Sequence, residues 1–233
     1  MKPQFPPERQ QLAYFILGCC VLCPVALWGV DKPLALWLHE DAQGLQPFFE
    51  VLTNAVDKVY MTLFYSADLG GVPIGFVALF ALFLLGRFLL KVPSAGVFLL
   101  VGLVLLNSGV ATNLLKIYFQ RPRPDAFLLH GMTGAGFWQA TTLDYSFPSS
   151  HATLYFSLLL PVAWQFPKYR WPLLALPALI TVGRLVLELH FLGDALASIG
   201  LVGLLTLLFS RLPLITPRTP FRLRRSFRKD FTA

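Results

Sequence analysis

The sequence predicts an all-α, polytopic membrane protein: a bundle of six transmembrane helices, with a short interfacial helix between the first and the second. Of its 233 residues, 56% are hydrophobic and 13% are charged, a balance that excludes a soluble domain with a wet surface. Charge-free runs recur, and each approaches or exceeds the roughly 20 residues that a helix needs to cross a ~30 Å hydrocarbon core. Period-2 alternation is absent, so helices are predicted rather than the strands of a barrel.

The predicted helices follow the apolar runs in chain order. They cover residues 11–30, 66–87, 94–118, 149–166, 172–190 and 193–211. The fifth is the least uniform, because Arg184 and Glu188 interrupt it; at a spacing of four, these two are suited to an ion pair on the helix surface. No internal repeat is visible, so residues 1–233 are predicted to form one domain, with a motif-bearing core at 94–211 and a basic tail at 212–233.

The first apolar run and the connection after it have alternative interpretations. "ILGC" at residues 16–19 resembles a lipoprotein processing site, and a signal peptide is also possible. The run continues to Val30 without a small-residue cleavage signal, so a retained membrane anchor is favoured. Between residues 31 and 60 the apolar side chains recur at helical spacing, which predicts an interfacial helix on the outer leaflet. These side chains are Leu45, Phe48, Phe49, Leu52 and Val56.

The distribution of basic residues predicts the orientation, because loops rich in Lys and Arg remain in the cytoplasm. With both termini in the cytoplasm, most of the 19 basic residues lie on that side, including those of the tail. The tail is interpreted as a determinant of topology, with binding of anionic lipid heads as the alternative. Six basic residues then fall on the outer side: Lys32, Lys58, Lys116, Arg121, Arg123 and Arg184.

Three polar segments that are distant in sequence meet the outer face under this topology. They are "KIYFQRPRP" from residue 116, "FPSSH" from residue 147 and "GRLVLELHFLGD" from residue 183. Pro148, Ser149 and Ser150 favour a helix start, whose free N–H groups and dipole attract an anion. His151 follows in the first turn, within reach of such an anion. Taken alone, this segment is more typical of an ordinary helix cap.

His190 and Asp194 form the second half of the predicted site. At a spacing of four on a helical turn, the carboxylate can accept a hydrogen bond from one imidazole nitrogen and make the other a better nucleophile. Adding Lys116, Arg123 and Arg184 gives a pocket suited to a phosphoryl group, whose transfer is catalysed largely by positioning and positive potential.

Two other classes of protein remain as alternatives. A transporter or anion channel would also use cations, but it would carry polar residues deep within several helices, whereas here the charges cluster at one rim. A zinc site could be assembled from His130, His151, His190 and Asp194, although the neighbouring Lys and Arg residues oppose a metal cation electrostatically.

Together the three segments resemble the signature motifs of the type 2 phosphatidic acid phosphatase family. The matching residues are Lys116 with Arg123 and Pro124, then Pro148 to His151, then Arg184 with His190 and Asp194. The resemblance implies that His190 is a nucleophile that forms a phosphohistidine, that Asp194 orients it, and that His151 protonates the leaving oxygen. It also implies that the phosphoryl oxygens are held by Lys116, Arg123, Ser149, Ser150 and Arg184, without a metal ion or other cofactor.

The chain departs from the family pattern at three positions. Ser150 stands where the family usually has Gly, and Gly183 stands where it usually has Ser, which removes one hydroxyl near the phosphate. Glu188 replaces a commonly small residue, and we expect it either to influence substrate choice or to pair with Arg184.

The resemblance implies a bacterial inner-membrane enzyme whose active site faces the periplasm. Its predicted partners are the bilayer and a lipid phosphate or diphosphate, and nucleic acid is not among them. Undecaprenyl diphosphate ranks first as substrate, with phosphatidylglycerol phosphate and the phosphates of lipid A as alternatives. Residues 125–147 are interpreted either as a lid that recognises the head group or as an interfacial loop with aromatic residues.

Overall fold

The computed structural model describes residues 7–66, 68–69, 72–129, 136–140 and 143–215, and the predicted all-helical class is confirmed for them. The helices are α1 (Pro7–Val25), α2 (Asp31–Asp41), α3 (Gln46–Tyr65), α4 (Ile74–Leu84), α5 (Gly96–Phe119), α6 (Pro124–Leu129), α7 (Ser150–Gln165), α8 (Arg170–Val186) and α9 (Leu192–Phe209). Single π-helical turns lie at Ala26–Val30 and Leu85–Leu89, and 3-10 turns lie at Gln43–Leu45 and Pro167–Tyr169. Two-residue strands, β1 (Asp68–Leu69) and β2 (Val72–Pro73), pair antiparallel.

Three stretches of the described chain are long and apolar enough to cross a membrane. They are Arg9–Asp41, Gly96–Leu128 and Leu192–Phe209, and Ile74–Leu89 is a shorter apolar helix. Large apolar side chains cover much of the outer surface, and Trp28 is 89% exposed. Such a surface is stable against lipid but not against water, so the protein is a membrane protein.

Helix α7 occupies the centre of the bundle. It packs against α5, α8 and α9, while α1 packs along α9. The core is apolar and closely filled, with Val104, Leu160 and Val202 fully buried and Leu12 only 2% exposed. Because α7 is surrounded by helices, the segment at its N-terminus is held among the ends of α5, α8 and α9.

The connection between residues 31 and 60 differs from the short interfacial helix predicted for it. α2 follows α1 after a single π-helical turn, and α3 is 20 residues long and packs on α8 and α4. A Cβ at Gly183 would lie 2.7 Å from Cδ1 of Phe49, so α3 and α8 approach as closely as glycine allows. The apolar stripe therefore contacts protein over part of its length, which the periodicity alone did not distinguish from contact with lipid.

Two predicted helix boundaries were also wrong. The second predicted span begins at Ile74 rather than at 66, after the β1–β2 turn. The fifth ends at Val186 rather than at 190, because Glu188 has a φ of 56°, in the left-handed region that an α-helix cannot continue through. His190 consequently lies in the short loop between α8 and α9.

Candidate active site

The start of α7 is fastened to α9. Ser149 caps α7 by accepting a hydrogen bond from the backbone N of Ala152 at 3.3 Å. Its own backbone N donates to the carbonyl oxygen of Asp194 at 3.3 Å, and the Ser198 hydroxyl donates to the Ser149 carbonyl oxygen at 2.9 Å. The second and third sequence motifs are therefore brought together, with Ser149 buried and Ser150 exposed.

The hydrogen bond of His190 defines its tautomer. Nδ1 lies 2.9 Å from the carbonyl oxygen of Ser146, and because a carbonyl only accepts, Nδ1 carries the proton. The side chain is almost fully buried, and this burial lowers the pKa of His190 to about 4. The imidazole is consequently neutral at pH 7, with a lone pair on Nε2, which is the form that a nitrogen nucleophile requires.

Asp194 acts on His190 through Ser146 and through its negative charge, rather than through the predicted direct hydrogen bond. Its Oδ2 is 3.8 Å from Nδ1 of His190, which is beyond hydrogen-bond range. The two residues do not share a helical turn, since one is in the loop and the other is in α9. Oδ2 instead accepts from the Ser146 hydroxyl and, at 2.8 Å, from the backbone N of Phe191. Asp194 thus fixes the residue whose carbonyl holds the imidazole.

Arg121 is the centre of a buried ionic cluster to which the sequence analysis gave no role. Its guanidinium donates to Oδ1 of Asp194 at 2.5 Å and to Oδ2 of Asp31 at 2.8 Å, and it lies 4.1 Å from the ring centroid of Phe191. Asp31 also accepts from the backbone N of Gly193 at 2.8 Å. All three charged groups are at most 1% exposed. The only sequence signal was position: Arg121 lies inside the first motif, and Asp31 is the first carboxylate after a charge-free run.

His151 has a carboxylate partner that the sequence analysis missed. Its Nε2 lies 3.0 Å from Oδ2 of Asp57 on α3, and the Tyr155 hydroxyl donates to Oδ1 of the same carboxylate. Asp57 was overlooked because its helix was expected to lie on the outer leaflet. A signal existed, however, since Asp57 falls at helical spacing from Phe49, Thr53 and Tyr60, which form the buried face of α3.

The three predicted cations lie around the two histidines. Arg123 interacts electrostatically with both His151 and His190, Arg184 interacts with His151, and Lys116 with His190. Lys116 donates to the Tyr145 carbonyl oxygen. Arg123 forms an ion pair of 2.6 Å with Asp144, a largely exposed side chain.

Two of these guanidinium groups have an N–H donor without a hydrogen-bond acceptor among the described residues. The Nε atoms of Arg123 and Arg184 are buried and have no hydrogen-bond partner within the described ranges. A buried N–H without an acceptor is costly, and a phosphoryl oxygen would satisfy it with a charge-assisted hydrogen bond. The cluster is therefore suited to binding an anion between the histidines.

Glu188 does not make the ion pair with Arg184 that the spacing of four suggested. Its Oε1 lies 2.9 Å from Nδ1 of His39 on α2 and 3.4 Å from Nε2 of Gln46. The left-handed backbone at Glu188 turns this side chain away from α8 toward α2, so the helical spacing does not apply. Arg184 therefore has no carboxylate partner on its own helix, since α8 contains no Asp or Glu.

The proposed zinc ligands and the proposed lid are only partly described. His130 lies outside the described residues, and among those described no three His, Cys, Asp or Glu side chains are placed to hold a metal ion. Of residues 125–147, positions 130–135 and 141–142 are likewise outside the description. Phe137 packs against Phe119 and Phe147, with ring centroids 4.9 Å and 5.1 Å apart, so this part of the segment rests on the end of α5.

An apolar cavity of about 470 Å³ adjoins the start of α7. It lies among α3, α4, α5 and α7, and most of its lining is aliphatic or aromatic, including Tyr60, Phe76, Leu105 and Leu154. Ser150 also lines it, one residue before His151. The cavity therefore extends through the hydrophobic part of the bundle as far as Ser150, the residue before His151.

Comparison with known proteins identifies the family. A family model described as the PAP2 superfamily matches residues 97–215, just over half of the chain. The chain is 31% identical over 211 residues to a lipid A 1-phosphatase of Rhizobium etli, which covers 87% of this chain and 84% of the relative. It is 31% identical over 93 residues to a lipid A 1-phosphatase of Rhizobium johnstonii, covering 40% of this chain and 38% of that protein. No solved structure matches. The chain therefore belongs to the PAP2 superfamily, as a lipid phosphatase of the type 2 phosphatidic acid phosphatase family.

Proposed function

We propose that the protein removes the 1-phosphate of lipid A at the periplasmic face of a bacterial inner membrane, through a phosphohistidine on His190 and without a metal ion. The observation that carries the chemistry is the neutral, buried imidazole with its proton fixed on Nδ1 by the Ser146 carbonyl. The choice of lipid rests on the similarity to the Rhizobium lipid A 1-phosphatases. It displaces undecaprenyl diphosphate, which motif resemblance alone ranked first.

In the first step, Nε2 of His190 attacks phosphorus. The Nε2–P bond forms as the bond from phosphorus to the lipid oxygen breaks, and His151 donates a proton to that oxygen. Lys116, Arg123, Arg184 and the N-terminus of α7, with Ser149 and Ser150, stabilise the charge on the phosphoryl oxygens. The unpartnered Nε donors of Arg123 and Arg184 support this binding role.

In the second step, water hydrolyses the phosphohistidine. His151, now neutral, accepts a proton from the water as its oxygen attacks phosphorus, and the Nε2–P bond breaks. Inorganic phosphate leaves, and both histidines return to their starting protonation states. Asp194 contributes by holding Ser146, so that Nδ1 of His190 keeps its hydrogen-bond acceptor throughout the cycle.

The neighbouring apolar cavity supports a lipid substrate. Its lining would accept an acyl chain, while Ser150 at its edge adjoins the phosphate-binding cluster. Transfer of a chain from the bilayer into such a cavity exchanges one apolar environment for another, so binding specificity must come from the head group. This arrangement suits a lipid with one acyl chain in the cavity and its other chains in the outer leaflet.

The proposed topology has six crossings, formed by α1, α4, α5, α7, α8 and α9, with both termini in the cytoplasm. α7 and α8 contain 16 and 17 residues, or about 24–26 Å of helix at 1.5 Å per residue, somewhat less than the hydrocarbon thickness. The site supports this alternation, because it gathers the C-terminal ends of α5 and α8 and the N-terminal ends of α7 and α9.

The test is release of inorganic phosphate from three lipids in detergent: lipid A carrying a 1-phosphate, undecaprenyl diphosphate and phosphatidylglycerol phosphate. We expect lipid A to be hydrolysed fastest, at a rate that excess EDTA does not change. The His190→Gln variant, purified identically, controls for contaminating phosphatases. Faster release from another lipid would overturn the substrate assignment, loss of activity in EDTA would overturn the metal-free mechanism, and release from none would reject the proposal.

A further inference from the structure

Asp57 is the only carboxylate, among the described residues, that hydrogen-bonds to His151. The contact joins Nε2 of His151 to Oδ2 of Asp57 at 3.0 Å, and the two side chains are 25% and 30% exposed. The Tyr155 hydroxyl, one turn further along α7, donates to the other oxygen of the same carboxylate. Asp57 therefore reaches from α3 to two successive turns of α7.

This hydrogen bond decides which imidazole nitrogen of His151 faces the substrate. A carboxylate only accepts, so Nε2 carries a proton in either protonation state of the ring. The remaining nitrogen, Nδ1, is the one that gains and loses the proton during the reaction. Holding Nε2 on Asp57 keeps Nδ1 directed away from α3, as a donor for the leaving oxygen.

The negative charge of Asp57 also offsets the positive charges that surround His151. Arg184 on α8 and Arg123 beyond α5 both act electrostatically on His151, and each opposes a positive charge on it. In the proposed function those guanidinium groups hold phosphate, so the reaction depends on them. Asp57 is the carboxylate close enough to offset them, and it interacts electrostatically with Arg184 as well.

The packing of α3 keeps this carboxylate in place. Gly183 allows α3 to approach α8 closely, and Tyr155 packs against Tyr60 of α3, with ring centroids 6.2 Å apart. A helix free on the membrane surface would not fix a side chain against the site in this way.

We propose that Asp57 is a positioning residue of the reaction, which orients His151 and keeps it protonated until its proton passes to the leaving lipid oxygen. The inference rests on the function proposed above and adds a residue from outside the three motifs. Asp57 acts through His151 and touches neither phosphate nor lipid.

The test is a double-mutant cycle on kcat/KM, measured with the lipid of the panel that the wild-type protein hydrolyses fastest. Asp57→Asn keeps the shape and an acceptor oxygen but removes the charge, and we expect it to lower kcat/KM about 100-fold. His151→Gln should lower it at least as much, and Asp57→Asn added to His151→Gln should lower it no further. Glu50→Gln, which also replaces a carboxylate by an amide but at an exposed position of α3, should retain wild-type activity.

A second measurement separates positioning from folding. 4-Nitrophenyl phosphate has a leaving group that needs little protonation, so Asp57→Asn should lower its kcat/KM less than 10-fold. Equal losses on both substrates, or additive losses in the double variant, would overturn the inference while leaving the phosphatase function intact. Absence of phosphate release by the wild-type protein would instead reject the proposed function itself.

Discussion

The two histidines of the site differ in burial and in hydrogen-bond partner. His190 is 3% exposed and hydrogen-bonds to the Ser146 carbonyl, with the Asp194 carboxylate 3.8 Å from Nδ1, whereas His151 is partly exposed and hydrogen-bonds directly to a carboxylate, Asp57. Burial favours the uncharged imidazole at His190, and the direct hydrogen bond to a carboxylate favours the imidazolium at His151. These differences match the two tasks in the proposed reaction, nucleophile for His190 and general acid for His151.

The same contrast extends to the supporting charges. On the His190 side, Asp31, Arg121 and Asp194 form an ionic cluster that is almost completely buried. On the His151 side, the Asp57 pair remains partly in contact with solvent or lipid heads. Buried charges tolerate the loss of a partner poorly, while exposed pairs contribute little to stability. The His190 side should therefore be essential to the fold, and the His151 side mainly to the reaction.

The largest expected effect distinguishes the roles of the two histidines. His190→Gln removes the nucleophile and should reduce turnover by about 10⁶-fold, to background, on both the lipid and 4-nitrophenyl phosphate. His151→Gln should cost about 10²–10⁴-fold on the lipid, and much less on the aryl ester. Rapid quenching with radiolabelled substrate should trap an acid-labile phosphoenzyme in His151→Gln and none in His190→Gln. A phosphoenzyme in His190→Gln would reverse the assignment.

The next effect concerns stability. Arg121→Met leaves Asp31 and Asp194 buried without their cation, and we expect it to lower the free energy of unfolding by about 3–5 kcal/mol. Asp57→Asn disrupts the partly exposed pair with His151 and should lower the free energy of unfolding by only about 0–1 kcal/mol. Thermal unfolding in detergent measures both.

An internal control tests the charge explanation for Arg121. Asp31→Asn combined with Arg121→Met removes one of the two stranded carboxylates, so the double variant should be more stable than Arg121→Met alone. If Arg121→Met unfolds at the same temperature as Asp57→Asn, the contrast between the two sides is wrong.

The residues of the three motifs could be selected from the sequence because each motif lies within a short segment with its own order and spacing. Lys116, Ser149 and His190 could be selected in this way. Arg121 and Asp57 could not, because their roles come from contacts between helices remote in sequence: Arg121 meets Asp31 across 90 positions, and Asp57 meets His151 across 94.

The fold also divides into features that are local in the sequence, which could be predicted, and contacts between remote helices, which could not. Apolar runs predicted that the chain is helical and membrane-embedded, since hydrophobic length is a local property of the sequence. They did not reveal that α3 packs on α8, because an apolar stripe looks the same whether it faces lipid or protein. Asp57 on α3 was missed for that reason.

The last prediction concerns the pH dependence of stability on the His190 side. Burial gives His190 a folded-state pKa of about 4, below the ordinary value of about 6.5 that applies when the chain unfolds. Between these values the unfolded chain binds a proton that the folded protein does not. The free energy of unfolding should therefore fall as the pH decreases from about 6.5 to about 4, by up to ~1.4 kcal/mol per pH unit from this residue.

His190→Asn supplies the matched comparison, since an amide can donate to the Ser146 carbonyl but does not titrate. The unfolding temperatures of the wild type and the variant should follow parallel curves above pH 7 and diverge below pH 6.5, with the wild type losing stability faster. Curves that stay parallel down to pH 4 would mean that folded His190 accepts a proton as readily as the unfolded chain does. The neutral nucleophile would then have to be explained by something other than burial.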